Sequence, residues 1–418
     1  MTAETVASSA GLAPSRRDQV GVVIACLIGN IVSPTPIVYG ALSIYLVPIS
    51  RDFAWPREAV SGVLTLLALM TACAYPLVGR IADRFGSRPP ILAGIVAFGA
   101  CVTALGFSNG GVLAFYGLFA LIGAVGSLPS TMMYNRVVSA WFDERRGAML
   151  GITSGLGNGV GATIMPFIAL GLMSAFGWRG GFMGLGAIVI LIGFPVVFFG
   201  MKEPAAAELT TAAPVLPGMG LSQAVRTSSF WLTLTAIGLG AGCLTGVMAH
   251  IVPILTDRRF PVAQATLVVS VFATVTAIWQ IVVGWLLDKT GSPKLVAPLY
   301  IVSVIGVVVL ERGTGLPALV ASGALMGIGM GTEYGVLPYF ISRYFGLRRF
   351  GAIAGIMYSA VIIAQGITPY LMDVDFDHHR SYRLSLHVIQ ALVVLGAAII
   401  ACLPVYAKTK ALWVVAAA

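Results

Sequence analysis

Gly79-Arg-Ile-Ala-Asp83-Arg84-Phe-Gly86-Ser-Arg88 closes one apolar run, and Gly284-Trp-Leu-Leu-Asp288-Lys289-Thr-Gly291-Ser-Pro-Lys294 closes another. Glycine, acid, base and glycine hold the same places in both, at an offset of 205 residues (284 minus 79). The same offset carries Pro48, Asp52, Trp55 and Pro56 onto Pro253, Asp257, Phe260 and Pro261. Two landmarks in one register mark an internal duplication. Further along each copy, Trp141-Phe142 and Arg145-Arg146 recur as Tyr344-Phe345 and Arg348-Arg349, offset by 203, so a small insertion or deletion separates the copies.

The chain around these landmarks is apolar. Of 418 residues, 58% are hydrophobic and 10% charged, with a mean hydropathy of +0.94. Soluble domains carry roughly 25% charged residues. Apolar runs of twenty and more need lipid as their solvent. The net charge of +9 reads as basic residues flanking membrane spans, and gives no reason to expect a nucleic-acid partner. Cys26, Cys73, Cys101, Cys243 and Cys402 all fall inside apolar runs without a C-x-x-C pair, which predicts small buried hydrophobes and no disulfide or metal site. The run from Val20, after Arg16 and Arg17, is too long for a signal-peptide core and is expected to remain a membrane span.

Hydropathy, punctuated by Gly, Pro and charge clusters, predicts spans at about 20–49, 59–79, 89–107, 111–142, 147–176 and 180–201. Six more follow at about 230–255, 263–287, 293–310, 316–345, 351–371 and 385–406. The expected fold is an all-α membrane protein of twelve transmembrane helices, arranged as two parallel-related six-helix bundles. They occupy 20–201 and 230–406, joined by a linker at 202–229 and flanked by tails at 1–19 and 407–418. An even span number puts both termini on one side. That side carries sixteen Lys and Arg against eight on the other, so both ends are expected in the cytoplasm, at the cell membrane. Asp373, Asp375, Asp377, His378 and His379 then read as an outward-facing solvated loop, because their spacing fits no zinc signature.

A six-helix unit duplicated in one orientation encloses a cavity between two halves. The G-x-x-x-D-R-x-G motif after span 2, its second copy after span 8 and the six-plus-six layout resemble the major facilitator superfamily over essentially the whole chain. Gly79 and Gly86 permit a tight turn there, while Asp83 can pair with basic groups at a neighbouring helix end in one conformation and release them in another. Trp141-Phe-Asp-Glu-Arg-Arg-Gly147, His250-Ile-Val-Pro253 with Asp257, and Gly331-Thr-Glu333 with Arg343-Tyr-Phe-Gly346 further resemble the monocarboxylate transporter and oxalate/formate antiporter branch. That resemblance implies an arginine four residues before the second motif glycine, holding a substrate carboxylate, and in some members an aspartate one turn earlier for proton coupling. This chain has Gln280 and Thr276 at those places, so neither role carries over.

Ionisable groups within spans are costly and point to function. Arg136, His250 and Glu333 are the clear ones, with Arg343 near the end of span 10. With Gln280 in the arginine's place, Arg136 is the remaining strong donor, able to grip a carboxylate with its guanidinium fork. Its alternatives are gating contact or a structural ion pair. Glu333, behind Gly327, Gly329 and Gly331, suits a proton carrier, a fixed pair with Arg343 or another cytoplasmic arginine, or a hydrogen-bonding tie to helix ends that holds the halves together. His250 falls on Tyr45 through the repeat, so matching rings stand at one depth in spans 1 and 7. The expected substrate wall comprises Arg136, Tyr39, Tyr45, Tyr75, His250, Trp279, Gln280 and Tyr358. Proton coupling or gating is expected of Glu333, Asp83, Arg84, Asp288 and Arg343. Gly151, Gly155, Gly157, Gly159 and Gly161 predict close helix packing in span 5, and Pro34 with Pro36 an interrupted span 1.

No phosphate-binding loop, H-E-x-x-H or nucleophile-base set is present, and Gly155 to Gly161 lies inside a span, so an enzyme, a cofactor and a bound metal are not expected. Duplicated halves favour alternating access over a channel. The expected function is secondary transport of a small organic acid, by proton symport or anion exchange. Efflux of apolar compounds is the alternative, followed by a sensor that moves nothing.

Overall fold

The structure, a computed structural model, describes residues 15–202 and 218–406, so most of the two expected tails and the centre of the linker lie outside the described residues. Long helices account for nearly all of it. In the first half they are α1 (Arg16–Asp52), α2 (Arg57–Phe85), α3 (Arg88–Leu105) and α4 (Val112–Trp141). A further apolar segment, Arg146–Gly200, runs for 55 residues. At about 1.5 Å per residue a helix of that length would overshoot a bilayer core of about 30 Å more than twofold. It is two spans, α5 (146–176) and α6 (178–200), broken at Gly177, whose φ of 68° is open to glycine but strained for other residues. The second half comprises α7 (Ser228–Asp257), α8 (Val262–Thr290), α9 (Val296–Arg312), α10 (Leu316–Tyr344), α11 (Phe350–His379) and α12 (Arg383–Ala401). Among the described residues this makes twelve spans in two sixes.

Four helices depart from regularity. Pro34 and Pro36 cannot donate backbone hydrogen bonds, and α1 turns at Val32–Ser33 before a π-helical stretch at Thr35–Tyr39. In α4 the helix stops after Gly126 and resumes at Thr131. The two breaks meet, because a Cβ added to Gly126 would lie 2.9 Å from the Pro34 ring. A second π-helical stretch, Gly151–Leu156, follows the first turn of α5, and a third, Val189–Gly193, interrupts α6.

The halves meet along two seams, α2 against α11 and α5 against α8. Backbones touch in both. A Cβ added to Gly79 would sit 1.9 Å from the Gly351 carbonyl oxygen, and one on Gly284 would sit 2.1 Å from that of Gly147. Only glycine allows such approach, which relies on packing of backbone to backbone. Both contacts lie at the end of the bundle that bears the α2–α3 and α8–α9 turns, here termed the motif side.

Two expectations need correction. Residues 373–379 are no loop: α11 continues through them to His379. The cysteines are all free, but Cys73 and Cys402 are exposed, since apolar runs in a membrane protein face lipid as readily as protein.

Candidate functional site

At the motif side the two acids of the repeated motif do the same work in opposite directions. Asp83 ends α2 and accepts from the backbone N–H groups of Gly351 (2.9 Å) and Ala352 (2.8 Å), in the first turn of α11. Asp288 ends α8 and accepts from Gly147 (2.8 Å) and Ala148 (2.9 Å), in the first turn of the helix opening α5. A helix N-terminus leaves its first N–H groups unpaired and carries partial positive charge, so a carboxylate there is favoured twice over. Each half thus latches the other. Arg343 of α10 reinforces the closure by donating to the Asp143 carboxylate (2.8 Å) and backbone carbonyl (2.7 Å), and Arg146 reaches the same carboxylate at 3.2 Å.

Arg136 belongs to this latch. Its guanidinium lies 3.4 Å from the Asp83 carboxylate and donates to Ser87 Oγ at 2.6 Å. Of the alternatives open in the sequence, the structure displays the ion pair. Arg84 lies exposed over the Phe85 ring and takes no part in the interface contacts.

Away from the latch, hydroxyl and amide groups of the two halves meet. Asn135 of α4 donates to the Tyr358 hydroxyl of α11 at 3.1 Å, and the Tyr75 and Tyr358 rings meet edge to face with centroids 6.0 Å apart. Gln365 of α11 donates to the Tyr334 hydroxyl of α10 at 3.3 Å. Tyr39 of α1 lies near both Tyr75 and Tyr334, which belong to different halves. Tyr39 and Tyr334 are 43% and 42% accessible between buried neighbours along each helix, an exposure that a cavity between the halves accounts for. The hydroxyls and amides can donate or accept hydrogen bonds while the ring faces hold apolar surface.

Other expected wall residues lie elsewhere. Tyr45 is fully buried inside the first half, where its hydroxyl donates to the Ala169 carbonyl at 2.9 Å and its ring packs on Phe182. That corrects its assignment to the substrate wall. His250 is nearly buried in the second half against Asp373, at 2.9 Å. Trp279 donates to Thr332 within the second half at 3.1 Å. Gln280 packs at the α5–α8 seam, where a Cβ on Gly155 would lie 2.7 Å from its own Cβ. Glu333 is not paired with Arg343. Its carboxyl is buried against Gly240 of α7, where an added Cβ would fall 1.6 Å from Oε1.

Sequence reasoning missed Tyr334, Gln365 and a buried amide-hydroxyl cluster in the first half. There Thr131 donates to Asn30 Oδ1 at 2.8 Å and Asn158 donates to Thr131 at 3.1 Å, beside the breaks in α1 and α4. The break at Pro34 and Pro36 was the available signal for that cluster. Nothing local distinguishes Tyr334 from its glycine-rich neighbours.

Comparison with known proteins agrees with this architecture. The sequence profile of the Major Facilitator Superfamily matches residues 31–369 and 251–413. The chain is 25% identical over 362 residues to mouse monocarboxylate transporter 11, covering 82% of this chain and 79% of that protein. It is 26% identical over 316 residues to the oxalate:formate antiporter of Oxalobacter formigenes, covering 73% and 72%. Its fold is similar to that of the E. coli fucose:proton symporter FucP in the outward conformation, with a TM-score of 0.71 at 15% identity, over 92% of this chain and 99% of that one. From the doubled motif, the crossed latches and these matches, the chain belongs to the major facilitator superfamily of transporters.

Proposed function

We propose that this transporter moves a small organic acid with an apolar or aromatic body across the cell membrane by alternating access, with the motif side in the cytoplasm. The excess of Lys and Arg on that side supports the orientation. One observation carries the reading: Tyr39 and Tyr334, contributed by opposite halves, stay accessible inside a bundle whose motif side is latched shut. A cavity open to one compartment and closed to the other is what alternating access requires.

The chemistry of the cluster bears on the substrate. Tyr39, Tyr75, Tyr334 and Tyr358 with Asn135 and Gln365 supply neutral donors and aromatic faces. Neutral donors hold a carboxyl group without the cost of desolvating a fixed cation, and favour an acid that travels with its proton. The relatives named for monocarboxylate and oxalate:formate transport support carboxylate chemistry. The engagement of Arg136 by Asp83 favours a second reading, efflux of apolar compounds, for which no cation is needed.

Uptake of radiolabelled lactate, benzoate and formate into proteoliposomes, with and without a pH gradient, tests the proposal. Saturable uptake of at least one acid, stimulated by acid on the side opposite the motifs, is expected. Extrusion of apolar dyes with no acid uptake would replace it with the second reading.

A further inference from the structure

We propose that His250 and Asp373 form a proton-binding site at the far-side mouth of the second half, opposite the motif side, and that its occupancy clamps α7 to α11. The role in transport rests on the function proposed above; the proton chemistry does not.

The hydrogen-bond geometry demands an extra proton. Nδ1 of His250 lies 2.8 Å from the Gly246 carbonyl oxygen. A carbonyl only accepts, so Nδ1 carries a hydrogen. Nε2 lies 2.9 Å from Asp373 Oδ1, also an acceptor when ionised. With a neutral imidazole and a carboxylate, that contact would set a lone pair against negative charge. The observed arrangement therefore holds one proton more. The Asp373 side chain is 65% accessible while that of His250 is 6% accessible. The open face of Asp373 gives water on the far side a route to it.

The internal repeat provides a control. Tyr45 occupies the equivalent place in α1, 205 residues earlier, and donates to Ala169 of α5. Adding the offset of 203 that holds in this part of the repeat to 169 gives 372, next to Asp373. Both rings thus tie the first helix of their half to the fifth. The phenol does so with its permanent hydrogen, whereas the contact of His250 with Asp373 needs one more proton from solvent. One half has a fixed tie and the other a titratable one.

The neighbourhood can move when the tie is released. Pro253, one turn beyond His250, removes a helical hydrogen bond and weakens α7 there. Below it, Gly246 lies against the Thr368 and Met372 side chains of α11. The charged groups around the pair are defined. Tyr382, from the α11–α12 turn, packs on the His250 ring with centroids 5.2 Å apart. Burial, then Asp373, Asp257 and Asp377, raise its phenol above the ordinary range, so it stays neutral. On α12, Arg383 and His387 turn to Glu311 of α9, and Asp375 is taken by His379 and Ser385. In α8 there is no charged residue before Asp288, and Glu333 of α10 sits at Gly240, ten residues along α7.

Two measurements on the full chain in nanodiscs test the site, and neither needs a substrate. The protein has four histidines, so 15N-histidine spectra can be assigned by subtracting His250→Gln. Asp373→Asn is expected to change the ring-nitrogen signals of His250, and unchanged signals overturn the site. Spin labels at Val262 and Ser381 read the mouth: their separation is expected to lengthen between about pH 5 and about pH 8, the range in which histidine titrates. In His250→Gln it should stay at the long value throughout. A wild-type distance that ignores pH overturns the clamp. Failure of acid uptake with both results intact would instead remove the proposed substrate.

Discussion

The Asp83 carboxylate and the backbone N–H of Gly351 are 2.9 Å apart, although one belongs to the second helix of the first half and the other to the eleventh of the chain. Asp288 and Gly147 repeat the contact with the halves exchanged. The pair of latches explains why the motif is doubled: each copy closes on the partner half. A hydrogen bond to a charged group is worth about 1.5–3 kcal/mol. Asp83→Asn and Asp288→Asn should each shift the protein toward the state open at the motif side, and the double variant further. Labelling of a cysteine placed at Ala352 by a membrane-impermeant thiol reagent measures it, with faster labelling expected in Asp288→Asn than in its parent.

Gly79→Ala tests the seam itself. The new methyl would lie 1.9 Å from the Gly351 carbonyl oxygen, with backbone that cannot step aside locally. The motif side should fail to close, abolishing transport while leaving each half folded. Uptake and thermal unfolding of the variant separate the two effects, and a normal uptake rate would contradict the role given to the seam.

Gly240→Ala acts inside the second half, where the added carbon would fall 1.6 Å from Glu333 Oε1. Overpacking costs typically about 1–3 kcal/mol, and a displaced carboxyl adds to it. A lowered melting temperature is expected. Glu333→Gln in the same background should recover little, because the clash is steric; full recovery would show that charge was the cause.

Arg136→Gln removes the side chain paired with Asp83 and Ser87. With Arg136 in the latch, maximal rate should fall by about tenfold or more, as loss of about 1.4 kcal/mol implies, with half-saturation little changed. A large rise in half-saturation at an unchanged maximal rate would return Arg136 to the substrate site. Initial uptake rates across substrate concentration decide between them.

The sequence carried some of this plainly and some not at all. Gly79, Asp83, Gly284 and Asp288 were legible because duplication writes a motif twice, and Pro34 with Pro36 announced the break in α1 because proline lacks a donor. His250 was legible as Tyr45's counterpart, but its partner was hidden. Three aspartates and two histidines in a row resemble a solvated turn, and only the length of α11 shows that they are helical. Arg136 lies 53 residues from Asp83, so their pairing is set by how α2 and α4 pack, which no local pattern records. Tyr45 was misplaced for the converse reason: its ring faces α5 and α6 from the inner side of α1, and hydropathy does not distinguish protein from cavity.

The central claim is that the two halves close at one end as they open at the other. Double electron-electron resonance with spin-label pairs at Arg84 and Arg348 on the motif side, and at Asn109 and Thr314 on the far side, tests it most directly. In the Asp83→Asn, Asp288→Asn double variant the motif-side distance should lengthen while the far-side distance shortens. Both distances unchanged, or both lengthened together, would contradict it.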